Sequence, residues 1–177
     1  MFILGHIGIT VGIFALIRKH PLFSSIPMDL RLVAFGAMLP DLIDKPLGQV
    51  LLADSIGNGR MLAHTFLFCL LLLSAGLYAY KNSRYLGIIV VSAASFLHLL
   101  EDSLWTTPET FFWPLLGLEF ANNTPQIGFT DFFLDVFIIS YTPALNQVFI
   151  SEIVGLICLI GIVVGKKYHK LSNPDNT

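Results

Sequence analysis

Residues 85–104 read YLGIIVVSAASFLHLLEDSL. Up to Leu97 every residue is apolar, aromatic or small; then come His98, Glu101 and Asp102. About 20 such residues cross a ~30 Å hydrocarbon core as a helix rising about 1.5 Å per residue. An ionisable side chain within such a run is costly and faces a partner, an ion or a water-filled cavity. The stretch therefore predicts a transmembrane helix with a polar site near one end. Working outward, the rest of the chain repeats the pattern.

The chain has 177 residues, of which 55% are hydrophobic and 12% charged. A soluble domain is about 25% charged, so this composition reads as integral membrane. The net charge of −2, with no basic stripe, excludes a nucleic-acid surface. Cys69 and Cys158 lie inside apolar runs and read as small buried hydrophobes, not a disulfide or zinc knuckle. Arg18 and Lys19 follow the first apolar run instead of preceding it. That run reads as a retained first helix with its N-terminus outside, not as a cleaved signal peptide.

The expected fold is an all-α integral membrane bundle of about five transmembrane segments. They cover Phe2–Ile17, Leu30–Asp44, Met61–Tyr80, Tyr85–Leu104 and Gln147–Gly165. Basic residues cluster at alternate connections: Arg18, Lys19 and Arg31, then Lys81 and Arg84, then Lys166, Lys167 and Lys170. The positive-inside bias puts all three groups in the cytoplasm and gives an N-out, C-in topology. Residues 1–170 form one domain on this reading, with 171–177 a disordered tail. Residues 106–146 are an extracytoplasmic loop rich in aromatics (Phe111, Phe112, Trp113, Phe120, Phe129, Phe132, Phe133). Aromatic rings anchor at the bilayer interface, and a short interfacial helix is expected at Asp131–Ser140.

Helical rise then sets depth. His6 lies about 18 Å from Arg18, and Asp41 and Asp44 about 15–20 Å from Arg31. His64 lies about 26 Å from Lys81, and His98 about 21 Å from Arg84. Four segments of alternating direction thus place His6, Asp41, Asp44, His64, His98 and Asp102 at one level, in the outer third of the core. His98 and Asp102 are four apart and share a helix face. Asp41 and Asp44 follow Pro40, at a bend or helix end. Mixed imidazole and carboxylate ligands suit a divalent transition metal, zinc first, then manganese or iron, as one or two ions. Arg60, four before His64, is placed to clamp an anionic substrate group. Glu152, about 21 Å from Lys166, reaches the same level as a base or supporting partner. Glu101 points about 100° from Asp102 and is set behind the ligands. Asp54, Asp131 and Asp135 read as solvated.

Each feature also has a structural reading. A lone intramembrane His is commonly a hydrogen-bonder, Asp41 and Asp44 after a proline can terminate a helix, and Arg60 can anchor at the interface. The shared depth favours a metal site.

Four motifs now read together: Gly5-His6; Gly36-Ala37-Met38-Leu39-Pro40-Asp41-Leu42-Ile43-Asp44; Arg60-Met61-Leu62-Ala63-His64-Thr65; and His98-Leu99-Leu100-Glu101-Asp102, followed by Trp113-Pro114. In this order, over roughly residues 1–117, the chain resembles the membrane-bound metal-dependent hydrolases, also described as LexA-binding, inner-membrane-associated hydrolases. It departs from their pattern at Gly59, Ala63 and Lys45, where members often carry His, Thr and His. The resemblance implies metal-dependent hydrolysis in a prokaryotic cytoplasmic membrane.

The residues and the resemblance converge on one expectation. It is a hydrolase with His6, Asp41, Asp44, His64, His98 and Asp102 as metal ligands, Asp44 doubling as a general base, and Arg60 and Glu152 assisting catalysis. The substrate would be an amphiphilic lipid or lipid-linked molecule, such as a phosphoester, reached from the outer leaflet. An ion, proton or metal transporter is the alternative, though a pathway needs two polar mouths and the inner halves are apolar. A non-catalytic regulatory binder in the membrane is a third possibility.

Overall fold

A computed structural model describes residues 1–52, 59–120 and 129–172. Among the described residues every regular element is helical: α1 (Ile3–Ile17), α2 (Leu30–Pro46), α3 (Phe66–Ser83), α4 (Gly87–Glu101), α5 (Pro108–Phe111), α6 (Phe129–Tyr141) and α7 (Gln147–Ser172). A π-helical turn, Leu47–Leu51, continues α2, and a 3-10 turn, Leu104–Thr106, follows α4. Asp54 and the 121–128 part of the aromatic loop lie outside the described residues, as do residues 173–177 of the expected tail.

α1 packs on α7 and α2, α2 on α4, and α4 on α3. Glycines set the closest approaches. A Cβ at Gly8 of α1 would lie 2.1 Å from the Gly155 carbonyl oxygen of α7, and one at Gly155 would lie 2.0 Å from the Leu4 carbonyl oxygen. Small residues let helix backbones touch in this way, the usual packing device between helices in lipid.

The interior is more polar than a soluble core. His6, Thr10, Asp44, His64, Ser95 and His98 are fully buried, beside apolar clusters at Val11, Phe14, Val33, Val90 and Ala94 and at Cys69, Leu99, Leu104 and Phe111. The exterior is apolar: α7 exposes Ile153, Val154, Ile157, Ile160 and Val163, and α3 exposes Leu70, Leu71 and Leu77. Soluble surfaces rarely carry such continuous apolar faces. By length and composition Phe66–Ser83 and Gln147–Tyr168 are long and apolar enough to cross a membrane, and Ile3–Ile17 and Gly87–Glu101 are shorter apolar helices.

Several boundaries differ from expectation. α7 runs on to Ser172, past the expected end at Gly165, so residues 171 and 172 are helix and not disordered tail. α3 begins at Phe66, not Met61, because Thr65 caps it: its Oγ1 accepts from the Phe68 N–H at 3.0 Å. α4 ends at Glu101, which leaves Asp102 at the cap position, its N–H still bonded to the His98 carbonyl at 2.9 Å.

Candidate metal centre

Pro40 lies inside α2. Its ring has no N–H, so the Gly36 carbonyl one turn back loses its helical donor. Ser95 of α4 substitutes, its hydroxyl donating to that carbonyl at 2.9 Å. The next carbonyl, Ala37, accepts from His98 Nδ1 at 2.7 Å. Gly36 makes room for both, since a Cβ there would stand 2.6 Å from the Val91 carbonyl oxygen. Membrane helices tolerate proline where neighbours bond the freed carbonyls in this way. His98 thereby carries its proton on Nδ1 and presents Nε2 as an acceptor.

A single carboxylate positions His64. Asp44, fully buried, accepts from the backbone N–H of Met61 (2.7 Å), Ala63 (3.0 Å) and His64 (3.0 Å), and from His64 Nδ1 (2.8 Å). His64 therefore sits on a turn gathered around Asp44, ahead of α3. His6 of α1 donates from Nδ1 to Glu101 Oε2 at 2.9 Å, and Thr10, one turn on, donates to Glu101 Oε1 at 2.8 Å.

All three imidazoles are thus anchored through Nδ1 and turn Nε2 inward. His64 Nε2 and His98 Nε2 stand 3.3 Å apart, with Asp41 Oδ1 at 3.5 Å and 3.8 Å from them. The His6 ring stacks on His98 with centroids 4.0 Å apart, and its Nε2 lies 3.3 Å from Asp102 Oδ1. That His6 nitrogen is buried and, among the described residues, has no hydrogen-bond partner. Two sets result, Asp41–His64–His98 and His6–His98–Asp102, each with its ligand atoms within 4.8 Å of one another.

The donor set fits a transition metal. A tetrahedral cation about 2.0–2.1 Å from nitrogen ligands holds them about 3.3–3.4 Å apart, close to the Asp41–His64–His98 triangle. With Nδ1 protonated on both rings, three acceptors face one another there with no donor between them. A proton or a cation among them relieves that arrangement. Each imidazole also donates its other N–H to a carboxylate or backbone carbonyl, as metal-bound histidines do. His98 belongs to both sets but has one Nε2 lone pair, so the sets share it and do not fill independently.

The outer carboxylate oxygens meet cations. Lys45 Nζ reaches Asp41 Oδ2 at 2.6 Å, and Arg60 Nη2 reaches Asp102 Oδ2 at 2.7 Å, while the Met1 nitrogen donates to Asp102 Oδ1 at 2.9 Å. Arg60 is half exposed.

The structure therefore gathers His6, Asp41, His64, His98 and Asp102, with Arg60 at their edge. Asp44 stands behind His64, both oxygens occupied, and belongs to neither set. Glu152 also stands apart: its oxygens accept from the N–H groups of Phe2, Leu4 and Gly5 at 2.9–3.0 Å and from the Tyr141 hydroxyl at 3.1 Å. It caps the otherwise unsatisfied first turn of α1. Burial and the Glu152 charge push the Tyr141 phenol up to about 12, so it stays a donor. Glu101 is more central than its angle from Asp102 suggested. The signal for it was His6 and Thr10, a polar pair four apart in an otherwise apolar α1.

The family model of the YdjM inner membrane proteins matches residues 1–170. The chain belongs to the YdjM inner membrane protein family. Neither a curated protein nor a solved structure matches it. Membership in the YdjM family agrees with the apolar exterior and supports the membrane location read from the sequence. It specifies no reaction.

Proposed function

We propose that this YdjM-family protein is a membrane-embedded, metal-dependent hydrolase acting on a lipid or lipid-linked substrate, such as a phosphoester, at the outer membrane interface. α1, α2, α3, α4 and α7 are its five spans, N-out and C-in, as the distribution of Lys and Arg requires. The observation that carries this reading is the trio of Nδ1-anchored imidazoles turning Nε2 toward one another and toward Asp41 Oδ1.

Asp41, His64 and His98 would hold the ion, zinc first and then manganese or iron, with His6 and Asp102 as the adjoining set. Three protein ligands leave a coordination position open, the mark of catalytic over structural zinc sites. When bound, such an ion supplies Lewis acidity to a carbonyl or phosphoryl oxygen and acidifies water. The chain's own groups do the rest. Asp44 and Glu101 fix two of the rings, and Lys45 and Arg60 offset the carboxylate charge. Arg60, half exposed beside Asp102, orients an anionic substrate group. Exposed Phe112, Leu115, Leu116 and Leu118 offer an apolar approach for an amphiphile.

Metal analysis of purified wild type beside His98→Ala and Asp41→Ala tests the centre. Wild type is expected to retain transition metal and both variants to lose it, with metal-dependent turnover in a panel of lipid phosphoesters. Metal-free wild type of undiminished stability, or ion flux in liposomes without turnover, would overturn the reading.

A further inference from the structure

Beyond the outer cluster, a second cavity lies toward the opposite end of α1 and α7. The two helices touch at Gly8 and Gly155 and are still close at Gly12, where a Cβ would meet Cys158 at 3.2 Å. Further along they diverge, and a Cβ at Gly161 or Gly165 would meet nothing within 4 Å. The gap forms a cavity of about 700 Å³ walled by apolar side chains such as Ile13, Leu16 and Ile162. That volume falls within the roughly 300–1,000 Å³ range of ligand pockets. Its remaining wall is cationic: Arg18, Lys19 and Lys166.

Among the described residues no acidic side chain forms an ion pair with these three cations. Asp29, whose carboxyl is held below its usual range chiefly by Arg31 and slightly by Lys166, is already engaged by Arg31 through contacts of 2.8–3.1 Å. An apolar slot ending in uncompensated positive charge complements an amphiphile with an anionic head. Basic pockets between helices on the cytoplasmic side bind anionic headgroups for this reason.

We propose that the groove between α1 and α7 binds an anionic phospholipid of the inner leaflet, its acyl chain along Ile13, Leu16 and Ile162 and its phosphate on Arg18, Lys19 and Lys166. The site rests on the membrane location and on the N-out, C-in orientation proposed above, not on the metal chemistry, from which it is separated by about 18 Å along α1.

The test uses the full chain purified in detergent and titrated with mixed micelles containing phosphatidylglycerol or phosphatidylcholine, with native mass spectrometry reading bound lipid. Wild type is expected to retain phosphatidylglycerol selectively. The triple variant Arg18→Gln, Lys19→Gln, Lys166→Gln is expected to bind it on the order of a hundredfold more weakly. Because those charges also set orientation, a second variant fills the groove instead: Gly161→Leu is expected to lose the lipid while keeping the wild-type unfolding midpoint. Both variants should keep wild-type metal content, which separates failure here from failure of the metal centre. Equal retention of the two lipids, undiminished phosphatidylglycerol binding in both variants, displacement by inorganic phosphate alone, or a second copy of the chain in the groove would overturn the proposal.

Discussion

Asp44 accepts four hydrogen bonds while fully buried, three from the turn at residues 61–64 and one from His64 Nδ1. In Asp44→Asn one oxygen becomes an NH₂ group, and at least one of those donors then faces another donor. A buried donor without a partner costs about 1–3 kcal/mol, and loss of the group behind a metal-bound histidine weakens metal affinity about 10–100-fold. Asp44→Asn is therefore expected to lower the unfolding midpoint and the metal affinity together. Unchanged affinity in a metal titration would remove Asp44 from its orienting role. Glu101→Gln is expected to weaken metal binding by about tenfold, since Thr10 still finds an acceptor while the hold on His6 loosens; a metal titration again decides. The cluster members were legible as His and Asp residues at one depth. What orients them was not, because Asp44 reaches His64 across 20 residues and Glu101 reaches His6 across 95, and a spacing rule sees neither.

Among the elements, α1 and α7 carry the sharpest contrast. Gly8 and Gly155 admit no side chain, whereas Gly161 of the same α7 faces open space. Gly8→Ala must push the helices apart and is expected to cost about 1–3 kcal/mol or more, while Gly161→Ala changes stability little. Thermal unfolding of the two variants in detergent compares them directly, and equal midpoints would contradict the Gly8–Gly155 contact. Helix positions were largely legible, since runs of apolar residues bounded by Arg, Lys and Asp mark them. The start of α3 was not. Met61–His64 extends the apolar run, yet the backbone N–H groups of Met61, Ala63 and His64 are held by Asp44 on α2. Pro40 was legible as a bend, but not that the carbonyls of Gly36 and Ala37 would be taken up by Ser95 and His98.

At the scale of the whole molecule, membrane character follows from composition alone and agrees with the YdjM family match. Orientation rests on the Lys and Arg pattern. A cysteine placed at exposed Glu119 is expected to react with an impermeant thiol reagent from outside the cell, and one at exposed Lys81 only after the membrane is opened. The reverse pattern would invert the topology and put the His and Asp cluster on the inner side. The Glu152 cap has a consequence for the order of assembly. The N–H groups of Phe2, Leu4 and Gly5 find their acceptor 147–150 residues later in the chain. During synthesis α1 emerges long before that acceptor exists, so these three bonds cannot form until α7 is made. His6, one residue beyond Gly5, is held separately, through Nδ1 on Glu101 of α4. The start of α1 is consequently joined to the rest of the molecule late, after the segments that carry Asp41, His64 and His98 have been made.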